Sequence, residues 1–172
     1  MGAVAASQLS TVKAAASETV TVAVLGCGRG SSLASWFARL PDSQVAVICD
    51  IDQNRAGALC EKIENISGRR PESVSDFRSL LERKDIDALV VATPDHWHAL
   101  PAIEALAKGA HVFLEKPTAH TVQESRAILN AARAAKRVVQ VGLHRRIGPH
   151  HVEAMKFLKS GKVGKIGQVR LF

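Results

Sequence analysis

The chain has 172 residues, 47% apolar and 23% charged, with a formal net charge of +7. That length suits one domain with a core burying roughly 70% of the unfolded surface and falls short of two full domains. No run approaches the ~20 apolar residues of a membrane span, and no repeat with a period of about 20 to 50 residues is visible, so a soluble globular protein without a membrane partner is expected.

The positive charge is unevenly spread. Residues 1–131 hold 13 Lys or Arg against 15 Asp or Glu, a net of −2, whereas residues 132–172 hold 10 against Glu153 alone, a net of +9. Lys156, Lys159, Lys162 and Lys165 read as a solvated helix face and its continuation. No aromatic platform is interleaved with them, so the stacking groups of a single-strand nucleic-acid site are missing and no nucleic-acid partner is expected. Cys27, Cys49 and Cys60 have neither metal-ligand spacing nor the even count of a disulfide framework, which points to a reduced compartment, the cytoplasm.

Residues 1–19 are rich in Ala, Ser and Thr, carry only Lys13 and Glu18 as charges, and lack both an unbroken apolar core and a twin arginine. They read as a disordered leader, with the tail of a trimmed export signal, and hence a periplasmic location, as the alternative. The first strand is expected over residues 20–25. It runs into Gly26-Cys27-Gly28-Arg29-Gly30-Ser31, and a helix follows to about Leu40, with Leu33, Trp36, Phe37 and Leu40 at helical spacing. Residues 45–49 form the second strand, ending at Asp50, and Asp52 reads as the N-cap of a helix reaching about Ile66 that Ser67-Gly68 closes.

A short extended piece near residues 73–75 and a helix containing Phe77, Leu80 and Leu81 lead to an apolar strand over residues 86–92. Further helices are expected over 96–108, 121–136 and 148–160, and strands over 111–114 and 138–141. The alternation of short apolar runs with helix-length segments implies an α/β fold, a doubly wound parallel sheet of Rossmann type with crossover helices. After residue 160, Ile166, Val169 and Phe172 stand in strand-like company, which reads as only the first strand of a C-terminal α/β domain, its exposed edge an aggregation hazard. The expected organisation is therefore a leader (1–19), a dinucleotide-binding domain (20–147), and a linking helix with the start of a substrate domain (148–172).

Three loops past strand ends carry the chemistry. Glycines let backbone N–H groups approach a pyrophosphate, and the helix that follows favours negative charge. The third glycine of the dinucleotide pattern would fall at Ser31, and Gly30 stands one place early; Gly-x-Gly-x-Gly equally suits the S-adenosylmethionine loop of methyltransferases. Asp50, 24 residues after Gly26, lies where a carboxylate accepts ribose hydroxyls. Methyltransferases usually carry another acid two residues before the first glycine, where Val24 stands here. Asp95, His96 and His98 follow the residue 86–92 strand, Asp95 in position to cap the next helix. A metal would need further ligands that the spacing does not supply, so none is expected. Lys116, between Glu115 and a turn-stiffening Pro117, sits at the mouth of another strand. The chain contains no tyrosine, which excludes the Tyr-Lys relay of short-chain dehydrogenases.

Gly-Cys-Gly-Arg-Gly at 26–30, Cys-Asp-Ile-Asp at 49–52, Ala-Thr-Pro-Asp-His-Trp-His at 92–98, Leu-Glu-Lys-Pro at 114–117 and Gln-Val-Gly-Leu-His-Arg-Arg at 140–146 occur in this order. Together they resemble the glucose-fructose oxidoreductase, inositol dehydrogenase and rhizopine catabolism family (Gfo/Idh/MocA), over about residues 20–172. The resemblance implies an N-terminal Rossmann domain binding NAD or NADP, a C-terminal α/β domain on an open, mostly antiparallel sheet, and hydride transfer to or from sugars and cyclitols. It places Gly26, Gly28, Arg29, Gly30 and Ser31 around the pyrophosphate and Asp50 on the adenosine ribose. Thr93, Pro94 and His98 would lie along the cofactor path, Glu115, Lys116 and Pro117 in the active-site loop, and Arg145 or Arg146 near the nicotinamide, where His144 replaces a commoner glutamine. Lys116 would be catalytic, orienting the substrate hydroxyl, while the family's other proton-transfer groups come from the C-terminal domain.

NAD is expected over NADP because Asp50 would repel a 2′-phosphate and Arg55 lies a turn too far to offset it. The expected partner is a small-molecule sugar or cyclitol, with homo-oligomers formed only with a full C-terminal domain. A methyltransferase and a non-catalytic dinucleotide-binding module remain the alternative readings.

Overall fold

The computed structural model describes residues 19–170, so the leader, apart from Thr19, and Phe172 lie outside the described residues. Five largely apolar runs and the short Glu-Ser-Val segment become the strands of one sheet: β1 (Val20–Leu25), β2 (Ser43–Cys49), β3 (Glu72–Val74), β4 (Ala88–Val91), β5 (His111–Leu114) and β6 (Val139–Val141). Their spatial order is β3-β2-β1-β4-β5-β6, and every neighbouring pair is parallel. The chain winds outward from β1 to β3, returns to lay β4 beside β1, and winds outward again to β6. That reversal opens a crevice beyond the carboxyl ends of β1 and β4, where Leu25 pairs with Val91.

Both faces of the sheet are covered, as an all-parallel sheet requires. Helices α1 (Gly30–Phe37) and α2 (Gln53–Ser67) close one face over Val22, Val24, Val45, Ile48 and Val90. Helices α3 (Phe77–Leu81), α4 (Ala99–Ala107) and α5 (Val122–Ala135) close the other over Ala23, Leu25, Val47, Leu89, Val91, Val112 and Leu114. Alternation along β1 feeds the two layers in turn. In β2 the alternation slips by one residue at a bulge opposite Val22 and Ala23, which is why Val45 and Ile48, three apart, share a face.

The caps follow the sequence chemistry. Asp52 accepts from the N–H groups of Asn54 and Arg55, Gly68 closes α2 in the left-handed region, and Thr121 with Glu124 forms a reciprocal capping box on α5. Three expectations are corrected. The helix expected from His96 begins at Ala99, preceded by a 3-10 turn over Asp95–Trp97; Trp97 N–H donates to Pro94 O and His98 N–H to Asp95 O, which uses the first turn before α-type bonding starts. Asp95 consequently does not cap α4, whose N-cap is His98, without a side-chain cap bond. Finally, residues 164–170 form no strand. Gly161 and Gly164 take φ of 76° and 73° and turn the chain, and without a neighbouring edge to supply hydrogen bonds an apolar run has nothing to pair with.

Two helices end the described chain, α6 (His144–Ile147), which the sequence pattern did not suggest, and α7 (Pro149–Lys159), with Pro149 in its first turn. Helix α7 packs chiefly on α6, and Met155, Phe157 and Leu158 stay exposed.

Candidate functional site

Each of the three loop glycines meets a different steric demand. Gly26 has φ of 94°, and a Cβ there would lie 2.7 Å from Ala92 O and 2.9 Å from Thr93 N, so only glycine lets the loop after β1 pass this close to the loop after β4. Around Gly28 nothing lies within 4 Å of such a Cβ, whereas at Gly30 it would meet Val24 Cγ1 at 3.0 Å and Ala92 Cβ at 3.3 Å. Tight turn, open approach and close helix-to-strand packing are the three roles of a dinucleotide loop. Gly30 therefore fills the third role from one residue early, and Ser31 instead lies in the first turn of α1, its carbonyl accepting from Ser35 Oγ at 2.7 Å and its Oγ from Lys62 Nζ at 3.2 Å. The N–H groups of Gly28, Arg29 and Gly30 donate to no protein group among the described residues, which leaves a set of donors at the α1 N-terminus suited to an anion.

Asp50 braces this loop from the end of β2. Its Oδ2 accepts from Cys27 N–H at 2.7 Å and its Oδ1 from Asp52 N–H at 2.9 Å; a carboxylate has about four acceptor positions, so each oxygen retains one for a ribose hydroxyl. Burial, with the Asp50 carboxylate adding to it, pushes the Cys27 and Cys49 thiols up to about 12. These are neutral packing groups and not nucleophiles. Among the described residues no group of three or more His, Cys, Asp or Glu side chains is placed to hold a metal.

The loop after β4 brings Thr93 and Pro94 to the crevice, but not His98. That side chain is only 1% exposed, with Nδ1 2.7 Å from Pro117 O and Nε2 2.9 Å from Thr93 O. His98 therefore joins two loops from behind and does not line the cofactor path. His96 is exposed on the wall of the crevice, and Asp95 lies near both His96 and His120; the hydrogen bond from His120 holds the Asp95 carboxyl below the usual range.

After β5, Glu115 is 5% exposed, its Oε1 accepting from Arg29 Nε at 3.3 Å and its Oε2 from Lys116 N–H at 3.1 Å. Gly142, beyond β6, fits against Glu115, since a Cβ there would lie 3.3 Å from Oε1. Lys116 is exposed beside this buried carboxylate, and α6 presents Arg145 and Arg146 to the same space.

Two adjoining hollows result. One, of about 1010 Å³, runs from Gly26, Gly28 and Asp50 past Ile51 and Arg78 to Thr93, Pro94 and Trp97. The other, of about 670 Å³, holds Glu115, Lys116, His144, Arg145 and Arg146. Arg29, Ala92 and Thr93 line both, so the hollows form one groove with Arg29 at the seam. Of the cofactor residues singled out from sequence, Gly30, Ser31 and His98 do not line either hollow. Sequence reasoning missed Ile51, which is 91% exposed, Phe77 and Arg78, whose guanidinium lies 5.0 Å from the Phe77 ring centre, and the role of Leu143 as a wall. Their position just past β2, β3 and β6 was the available clue.

A family model described as "Oxidoreductase family, NAD-binding Rossmann fold" (GFO_IDH_MocA) matches residues 20–143. The chain belongs to the Gfo/Idh/MocA oxidoreductase family. Membership removes the methyltransferase reading of the glycine loop. Among relatives of this Gfo/Idh/MocA chain, an inositol 2-dehydrogenase of Rubrobacter xylanophilus is 32% identical over 151 residues, 86% of this chain and 42% of the relative. A glycosyl hydrolase family 109 protein of Saccharopolyspora erythraea is 32% identical over 127 residues, 71% of this chain and 28% of its own length. The solved structure of a putative myo-inositol dehydrogenase from Sinorhizobium meliloti is 28% identical with a TM-score of 0.70, covering 85% of this chain and 43% of that one. The Gfo/Idh/MocA chain thus spans less than half the length of these relatives.

Proposed function

We propose that this chain supplies the cofactor-binding half of an NAD-dependent oxidoreductase that moves hydride between nicotinamide and a carbon bearing a hydroxyl on a sugar or cyclitol. One observation carries the reading: a single groove at the strand-order reversal has a glycine loop with free N–H donors in one hollow and Lys116 in the other. The names of the relatives, an inositol dehydrogenase and a glycosyl hydrolase family protein, support a polyhydroxylated ring as substrate.

The residues present fit a dinucleotide. Gly28, Arg29 and Gly30 would receive the pyrophosphate, Asp50 the adenosine ribose, Ile51 and Arg78 the flanks of the adenine, and Thr93 and Pro94 the path towards nicotinamide. When bound, NAD supplies the hydride acceptor. Lys116 donates a hydrogen bond to the substrate oxygen and stabilises the negative charge that grows there as a base withdraws the hydroxyl proton, a charge that collapses into the carbonyl when hydride leaves the carbon, while Arg145 and Arg146 border the nicotinamide end. NAD is preferred to NADP because a 2′-phosphate would face Asp50 and Asp52, and Arg55 is already drawn to Asp52 at 3.3 Å. Residues 20–147 constitute the dinucleotide-binding domain, and 148–172 lead towards a substrate domain that completes the proton-transfer groups and any homo-oligomer.

Titration with NADH, NADPH and S-adenosylmethionine, followed by fluorescence of Trp97, tests the reading. Trp97 borders the larger hollow, and saturable quenching by NADH, weaker by NADPH and none by the methyl donor is expected. A folded sample silent to both dinucleotides would refute it. In a form that turns over substrate, Lys116→Ala should lower turnover by at least ~100-fold, the scale of one positioned acid-base group, and near-normal turnover would remove Lys116 from the chemistry.

A further inference from the structure

Lys116 is flanked on both sides by residues that side chains from other loops hold in place. Before it, the buried Glu115 carboxylate accepts from Arg29 of the glycine loop at 3.3 Å. After it, the carbonyl of Pro117 lies 2.7 Å from Nδ1 of His98. Pro117 has no N–H, and Lys116 N–H is already committed to Glu115, so the Pro117 carbonyl is the polar backbone group through which this side of the turn is anchored. The other ring nitrogen of His98 lies 2.9 Å from Thr93 O, on the groove wall shared by both hollows. An imidazole is planar and rigid, and at 1% exposure it has no freedom to swing away. It fixes the separation of the Thr93 and Pro117 carbonyls as a spacer would.

We infer that His98 is a positioning residue, which sets Lys116 against the cofactor path by donating from Nδ1 to the Pro117 carbonyl while the far edge of its ring abuts the Thr93 carbonyl, with the Arg29–Glu115 pair as the matching restraint on the other flank. The inference rests on the assignment of Lys116 to the nicotinamide end of the groove. It differs from a cofactor contact, because His98 touches neither hollow. It differs from simple packing, because the restraint needs a donor at one ring position and not merely a ring's volume.

The two amide side chains separate these roles. In His98→Asn the amide nitrogen falls near the place of Nδ1 and keeps a donor for Pro117 O, whereas in His98→Gln it reaches the place of Nε2 and keeps only the Thr93 side. The readout is protection of the Lys116 amine from acetic anhydride by NADH, quantified by mass spectrometry at equal occupancy, with occupancy set by Trp97 fluorescence in the same samples. His98→Gln should lose about threefold to tenfold of the protection, the weight of one hydrogen bond, and His98→Asn should retain most of it. Equal protection in both variants would overturn the inference. Should His98→Gln fail to fold, the NMR coupling across the hydrogen bond from His98 Nδ1 to the Pro117 carbonyl carbon in the unaltered chain decides: its presence supports the restraint and its absence overturns it. An unaltered chain that binds NADH without protecting Lys116 would instead defeat the placement of Lys116, and the inference with it.

Discussion

Gly26 and Gly28 stand two residues apart and should fail in opposite ways. At Gly26 a methyl group meets the Ala92 carbonyl at 2.7 Å with φ at 94°, so Gly26→Ala should lower stability by about 1–3 kcal/mol, the cost of a strained backbone position. At Gly28 the same methyl group enters open space, where the pyrophosphate would lie. Gly28→Ala should leave the urea midpoint within experimental scatter and weaken NADH binding by at least about tenfold, roughly the loss of one charge-assisted hydrogen bond. Equal stability losses would remove the distinction, and unchanged NADH affinity in Gly28→Ala would place the phosphates elsewhere.

Among the helices, α5 depends most visibly on its first turn. Thr121 Oγ1 accepts from Glu124 N–H at 3.2 Å and Glu124 Oε2 accepts from Thr121 N–H at 2.8 Å, while Ile128 is the one fully buried side chain of the helix. With so little apolar anchoring, the cap carries a large share of α5, and Thr121→Ala should cost about 0.5–2 kcal/mol; a denaturation midpoint unmoved by the substitution would contradict this. Caps, glycines and apolar runs are residue-type signals, which is why all six strands, the Asp52 cap and the long helices were legible from sequence. His98 was not, because its partners are the backbone carbonyls of Thr93 and Pro117, and a carbonyl looks the same under any residue. The apolar run after α7 misled for the complementary reason. Strand propensity describes a residue's fitness for a sheet, and residues 164–170 pair with no strand among the described residues.

For the whole molecule, the buried thiols set an alkaline limit. The native chain holds the Cys27 and Cys49 protons up to about 12, whereas an unfolded chain releases them near the ordinary thiol value of 9.0. The folded state binds more protons between these values, so this contribution is whole below pH 9 and is lost as pH rises towards 12. The melting temperature should therefore decline across that window, and less steeply in Cys49→Ala than in the unaltered chain; parallel declines would refute the linkage.

The pairing of β1 with β4 has a further consequence, for the order in which the molecule is built. Thr21 and Asp87 exchange two hydrogen bonds across that junction, each spanning 66 residues of sequence, and Gly26 meets Ala92 at its far end. Contacts so distant along the chain are slow to form, because a long loop must close before they repay the entropy. The βαβ unit carrying the glycine loop can assemble from local sequence alone, but its partner wall arrives only when β4 zips alongside. The groove is a product of that closure, and during synthesis it comes into being only after β4 has been made.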